Sequence, residues 1–235
     1  FAVEIMSSFD LSNSEWGTIY ASGTLLSAVA MIYIGGLVDD YKTRNISFLV
    51  LGILTLAMLS MAILDSVAAL IVTIFFLRLM GQGMSTHLAH VAMSKWFSRY
   101  RGRALAIANL GYSLGESFLP MVFVGFLLVL PWRSIWLFSA VFPVLVAVAI
   151  YFTLRDERSP ILFKENKSTF GIGLRHWSRS EVLKSSIFWF AFPGLLGLPA
   201  FGTVLFFQQV NYASLKGWDH LSMVKAYPLF TIVAV

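Results

Sequence analysis

The chain has 235 residues, 58% of them apolar and only 12% charged, with seventeen Lys and Arg against twelve Asp and Glu and a mean hydropathy of +0.78. A soluble domain carries about 25% charge, so this chain cannot clothe itself in polar surface and its solvent is lipid. Cysteine is absent, which removes disulfide frameworks, thiolate metal sites and Cys nucleophiles.

Several runs exceed the roughly 18 nearly charge-free residues that cross a hydrocarbon core at about 1.5 Å rise per residue. The expected order is a residual first span ending near Met6, then spans over 16–38, 46–65, 67–92, 103–130, 134–154 and 186–212, and a truncated one from about 221. Both ends, Phe1 and Val235, are expected to be internal points of a longer chain, and no signal-peptide pattern is visible at the start. Short turns at Asp65-Ser66 and Pro131-Trp132 make neighbouring helices antiparallel. Ser12 with Glu15, and Ser178 with Glu181, have the S-x-x-E spacing of a capping box, in which a hydroxyl and a reciprocal carboxylate satisfy the first orphan amides of a helix. Trp177 and Val182 are placed to add a hydrophobic staple to the second box. The one long polar stretch, Arg155 to Ser185, with Pro160, Gly171 and Gly173, reads as a linker. It divides a first unit, 1–154, from the start of a second, 186–235.

Basic residues test this layout independently of hydropathy. Lys42, Arg44, Lys95, Arg99, Arg101, Arg103, Arg155, Arg158, Lys164, Lys167, Arg175, Arg179 and Lys184 fall in alternate loops and account for 13 of the 17. The opposite loops hold Arg133, Lys216 and Lys225 beside Glu4, Asp10, Glu15, Asp65 and Asp219. By the positive-inside rule the basic loops are cytoplasmic, so the excess of positive charge requires no nucleic-acid partner. Trp16, Trp132 and Trp218 are expected in the interfacial aromatic belts.

Three stretches carry a family resemblance. Gly35 to Arg44, GGLVDDYKTR, resembles the loop motif G-x-L-x-D-R-x-G-R-R of the major facilitator superfamily, with Gly35, Leu37, Asp39 and Arg44 in place and Asp40, Lys42 and Thr43 departing. Trp96 to Gly115 resembles the fifth-span signature of monocarboxylate-transporter-like members, Y-F-x-K-R-R-x-L-A-x-G-x-A-x-x-G-x-x-x-G. Phe97, Arg99, Arg101, Ala104, Ala108, Gly111 and Gly115 fall in register, whereas Trp96, Tyr100, Arg103 and Ala106 depart. Arg78 to Gly83, RLMGQG, is similar to the fourth-span Arg-x-x-Gln-Gly motif with altered spacing around Gln82. The resemblance implies an all-α polytopic fold, no cofactor, and a secondary transporter in the plasma membrane, monomeric when complete. Its branch, monocarboxylate-transporter-like or oxalate-formate-antiporter-like, implies a small organic anion as substrate, with a coupling proton as a further partner. In the family, substrate lies between two bundles near the midplane and one rocks against the other.

The candidate residues follow from cost. Arg78 falls midway along its span, where a charge costs at least about 2.5–3.5 kcal/mol, and Glu116 is similarly deep in the fifth span. They either line a polar cavity, Arg78 attracting an anion and Glu116 exchanging a proton, or form a structural ion pair. Tyr20, Thr24, Ser27 and Met31 recur on one helical face, lining that cavity or gluing helices together; Gln82, Tyr112 and Gln208 complete the candidate pathway. Asp39 sits at a helix C-terminus, where the dipole disfavours an anion by about 0.3–1 kcal/mol. The resemblance makes it a latch to a helix of the second half; the alternative is a loop acid bonded to Arg44 or Lys42. His87 and His90 lack a supporting carboxylate and read as interfacial or helix-bonded rather than metal-binding. Gly111 and Gly115 read as a packing face and Pro120 as a kink. Channels or receptors on the same scaffold stay open. An intramembrane enzyme or nucleotide-driven pump lacks support, for no H-E-x-x-H, G-x-S-x-G or phosphate loop occurs.

Overall fold

The computed structural model describes residues 1–97, 100–154, 178–218 and 225–229. Among them there is no strand. This is what lipid demands, because a helix satisfies its backbone polar groups within one segment. In chain order come α1 (Ala2–Phe9), α2 (Asn13–Ile34), α3 (Leu37–Asp40), α4 (Thr43–Ile63) and α5 (Val67–Phe76). A π-helical segment (Leu77–Met84) leads directly into α6 (Ser85–Trp96). After these come α7 (Arg101–Leu127), α8 (Trp132–Ser139), α9 (Val141–Thr153), α10 (Arg179–Lys184) and α11 (Ser186–Leu215). Six rods among the described residues are long and apolar enough to cross a membrane: Asn13–Asp40, Thr43–Ile63, Val67–Trp96, Arg101–Leu127, Trp132–Thr153 and Ser186–Leu205.

The ends are set by local chemistry. Both capping boxes form: the Ser12 amide donates to Glu15 at 2.8 Å and the Glu15 amide to the Ser12 hydroxyl at 3.3 Å, and Ser178 and Glu181 repeat the pattern. Ser66 caps α5 by accepting from the Ala69 amide at 3.2 Å. The expected span over 134–154 is broken at Ala140, between α8 and α9. Pro143, in the first turn of α9, has no N–H to continue the ladder from α8, yet is tolerated there. Pro120 lies inside α7 without ending it. Trp177 and most of the linker, 155–177, lie outside the described residues, as do Arg99 and most of the truncated last span.

Two apolar clusters hold the rods together. The first, on the side that the positive-inside rule makes the outer one, gathers Ile5, Trp16, Ile19, Met61, Leu64, Leu70, Ile74 and Trp132; the second, on the side that the same rule makes cytoplasmic, gathers Val38, Ile46, Val50, Leu79, Met80, Met84 and Leu88. At the outer face Arg133 pairs with Asp65 at 3.1 Å, and the Trp132 indole donates to the Ser8 hydroxyl at 3.1 Å. Elsewhere large apolar side chains stand uncovered, Phe190 at 87% exposure among them, an arrangement suited to lipid tails. The expected packing face on α7 is not seen: nothing lies within 4 Å of a Cβ at Gly111, and Gly115 meets only Leu119 of its own helix.

The tight contact is instead between α2 and α5. A Cβ at Gly23 would come within 2.8 Å of the Ile74 side chain and 3.2 Å of the Phe75 backbone nitrogen, so the backbones approach as small-residue interfaces allow. Gly17, on the same helix, has nothing within 4 Å. Gly23→Ala is therefore expected to destabilise by about 1–3 kcal/mol through overpacking, read as a lower unfolding temperature in detergent, with Gly17→Ala unchanged. Equal melting of the two variants would show that this contact does not hold the pair together.

Candidate functional site

Between the two clusters lies the polar centre. At about 1.5 Å per residue, Thr24 and Arg78, each 11 residues in from the outer ends of their rods, both sit roughly 16 Å deep, the middle of a hydrocarbon core about 30 Å thick. The Arg78 Nε donates to the Thr24 hydroxyl at 3.3 Å. Its Nη1 donates to the Gln82 side-chain oxygen, and the guanidinium lies over the Tyr20 ring, 4.7 Å from its centroid. Three of the pathway candidates thus converge on the fourth. Arg78 is half-buried and no described carboxylate lies within 4 Å of its guanidinium; the structural ion pair with Glu116 is not formed.

The magnitudes explain how a bare cation is tolerated. Hydrogen bonds to a charged group contribute about 1.5–3 kcal/mol each and a desolvated cation–π contact about 2, enough to offset an insertion cost of about 2.5–3.5 kcal/mol. All these partners are neutral, so the positive charge itself is not cancelled. Arg78 and Gln82 stand on the π-helical segment, a distortion found often at functional sites. Gly81 and Gly83 flank Gln82 there, and a Cβ at Gly83 would meet Met31 at 3.4 Å, so α2 and this segment pack closely.

The second wall comes from α7. Glu116 is half-buried and makes no hydrogen bond or ion pair with a described residue. The Tyr112 hydroxyl, on an exposed side chain, lies within electrostatic reach of both Arg78 and Glu116. Tyr227 is within reach of Glu116 and donates a hydrogen bond to Gln209 of α11. Phe207 of the same helix packs against Tyr20, centroids 5.0 Å apart. Sequence reasoning missed Phe207 and Tyr227, and it weighed Gln208 and Gln209 together. It chose Gln208, which is exposed and accepts from Asn211 at 3.5 Å. A helical apolar run does not announce which of two adjacent glutamines faces a neighbour.

At the cytoplasmic end Asp39 pairs with Lys95 at 3.0 Å, with 63% of the carboxylate side chain exposed. The same ammonium donates to the Val38 carbonyl at 3.0 Å, capping the end of α3 as a cation there should. Its partner is thus neither Arg44 nor Lys42. Arg44 lies over the rings of Tyr151 and Phe48 at 4.9 and 5.6 Å. Leu37 packs against the cytoplasmic cluster, and the Gly35 carbonyl is 3.0 Å from His87 Nε2. His90 Nε2 is 2.9 Å from the Asn109 side-chain oxygen. Both histidines serve helix contacts, and no metal-holding group occurs among the described residues. Phe97 and Tyr100 form the turn before α7, on whose first turns Arg101, Ala104 and Ala108 stand.

Six helices of membrane length among the described residues define a polytopic membrane protein. The Major Facilitator Superfamily model matches residues 1–235, and the chain belongs to that family, which is one of transporters and not of enzymes. It is 24% identical over 163 residues to the glycerol-3-phosphate transporter of Bacillus subtilis (strain 168), covering 66% of this chain and 36% of that protein. The match thus spans about a third of that relative's length. No solved structure matches the chain.

Proposed function

We propose that the chain is part of a secondary active transporter of the cell membrane that moves a small organic anion, a carboxylate or phosphate monoester, by alternating access coupled to an ion gradient. The observation that carries this reading is Arg78: a mid-depth guanidinium held by Thr24, Gln82 and Tyr20 with no carboxylate on it. Its uncancelled charge is what an anion entering a low-dielectric cavity would neutralise. The fifth-span resemblance favours a monocarboxylate. The Bacillus subtilis relative, by its name, carries a phosphate ester, and one guanidinium recognises both chemistries.

In this reading Glu116, facing Tyr112 and Tyr227 without an ion-pair partner, exchanges the coupling proton. Residues 1–154 and 186–235 belong to two bundles joined by the linker, and Asp39 is a conformational latch at the cytoplasmic edge. A partly exposed pair such as Asp39–Lys95 contributes only about 0.2–1 kcal/mol.

The test is uptake of labelled lactate and of glycerol 3-phosphate by the full-length protein in proteoliposomes under an imposed proton gradient. Losing a hydrogen-bonded charge worth about 1.5–3 kcal/mol should raise KM by roughly ten- to a hundred-fold in Arg78→Gln, and unchanged KM for both solutes would remove Arg78 from the site. Glu116→Gln should abolish acceleration by the proton gradient while counterflow exchange continues; proton-driven uptake at the normal rate leaves that side chain no coupling role. Asp39→Asn should insert and melt normally, within about 1 kcal/mol, yet transport slowly. Uptake at the wild-type rate would rule out the latch.

A further inference from the structure

One side chain touches both the central cation and a helix beyond the linker. Tyr20 presents a ring face to the Arg78 guanidinium, its centroid 4.7 Å away, and packs at a 44° tilt on Phe207 of α11, 5.0 Å between centroids. Trp16 supports the ring from one turn further out at 5.8 Å. Tyr20 lies 7 residues inside the outer end of α2 and Phe207 8 residues inside that of α11, about 10 and 12 Å deep at 1.5 Å per residue. Arg78 lies roughly 16 Å deep by the same measure, so the ring pair covers the cation from the outside. Tyr20 and Phe207 both pack against the outer apolar cluster. In the cytoplasmic half of α11, by contrast, the described ring contacts of Phe188, Trp189 and Phe192 are with one another.

We infer that Tyr20 and Phe207 form the outer gate of the transport path, and that Arg78 holds this gate shut through the Tyr20 ring face. The inference rests on the transport reading above and adds the device that links occupancy to opening. A guanidinium without a counter-anion attracts the negative face of an aromatic ring most strongly. An anion on Arg78 spreads and cancels that charge, so Tyr20 is held less firmly and its contact with Phe207 opens more readily. The ligand then shifts the gate by its different affinity for the two positions of the ring, which is what a population shift requires. Tyr20 is a positioning residue here. Its ring, and not its hydroxyl, does this work.

Accessibility from outside tests the gate without any substrate. The sequence contains no cysteine, so Ser27→Cys, about one turn deeper than Thr24 on the same face of α2 and out of contact with Arg78, serves as a reporter in an otherwise cysteine-free full-length protein. Its reaction with a membrane-impermeant maleimide is followed in right-side-out vesicles and normalised to labelling after unfolding. Tyr20→Phe should label as the native ring does, whereas Tyr20→Leu should label about five-fold faster or more, the scale of a lost cation–π contact. Arg78→Gln should speed labelling with Tyr20 intact, and Phe207→Leu should do so from the other helix, where no contact with Arg78 is disturbed. Equal rates in native, Tyr20→Leu and Phe207→Leu proteins would overturn the gate; faster labelling in the leucine variants but not in Arg78→Gln would overturn the charge hold. If the reporter disturbs folding, bridging Tyr20→Cys to Phe207→Cys with a short bis-maleimide gives the second reading: the bridge should stop transport, and undiminished transport would overturn the gate. Because labelling needs no ligand, a failed uptake assay with a responsive gate faults the substrate assignment, and the reverse result faults the gate.

Discussion

Lipid cannot hydrogen-bond a peptide group, and the rest of this molecule follows from that. Every backbone donor and acceptor in the core must be satisfied within the protein, which leaves rods of the lengths seen in α2, α4, α7 and α11. Caps appear where the rods meet polar solvent: Ser12, Ser66 and Ser178 each accept from an amide three residues on. Lys95 does the reverse at the other end, donating to the Val38 carbonyl of α3. Between these ends the rods are joined by two apolar clusters and by one glycine contact, Gly23 on α5.

The same constraint makes each polar group inside the core conspicuous and costly. Arg78 survives there because Thr24, Gln82 and Tyr20 reach it together, two of them from α2 and one from its own π-helical segment. Its neutral partners stabilise the guanidinium without cancelling its charge. Glu116 stands on the opposite wall, within the reach of two tyrosines. In the proposed reading the cation attracts an anion, the separate acid at mid-depth titrates, and the aromatic rings outside them move.

Much of this was legible in the chain itself, for identifiable reasons. Long apolar runs give span and depth, so the five complete rods before the linker and α11 were found close to their observed ends, and the Ser/Glu spacing gave both capping boxes. The i, i+4 relation of Tyr20 and Thr24 placed them on one face, and the midspan position of Arg78 marked it as a costly charge, whereas the contact between Thr24 and Arg78 came only with the fold. What escaped depends on rotation about the rod axis and on pairs far apart in sequence. Asp39 finds Lys95 rather than Arg44 because α3 lies against the end of α6, and Phe207 meets Tyr20 across the linker. The π-helical segment had only Gly81 and Gly83 as a sign, and Gly111-x-x-x-Gly115 looked like a packing motif although no other helix approaches it among the described residues.

The alternation of rods across a bilayer is the claim on which site depth, gate and direction all stand. Single cysteines introduced in the 39–45, 93–103 and 155–184 segments, and at Ser66 and Leu130, can be labelled with an impermeant thiol reagent in sealed cells and again after permeabilisation. The first three segments are expected to react only after permeabilisation and the last two at once. Labelling of Lys95→Cys and Lys164→Cys from opposite faces would contradict the whole arrangement.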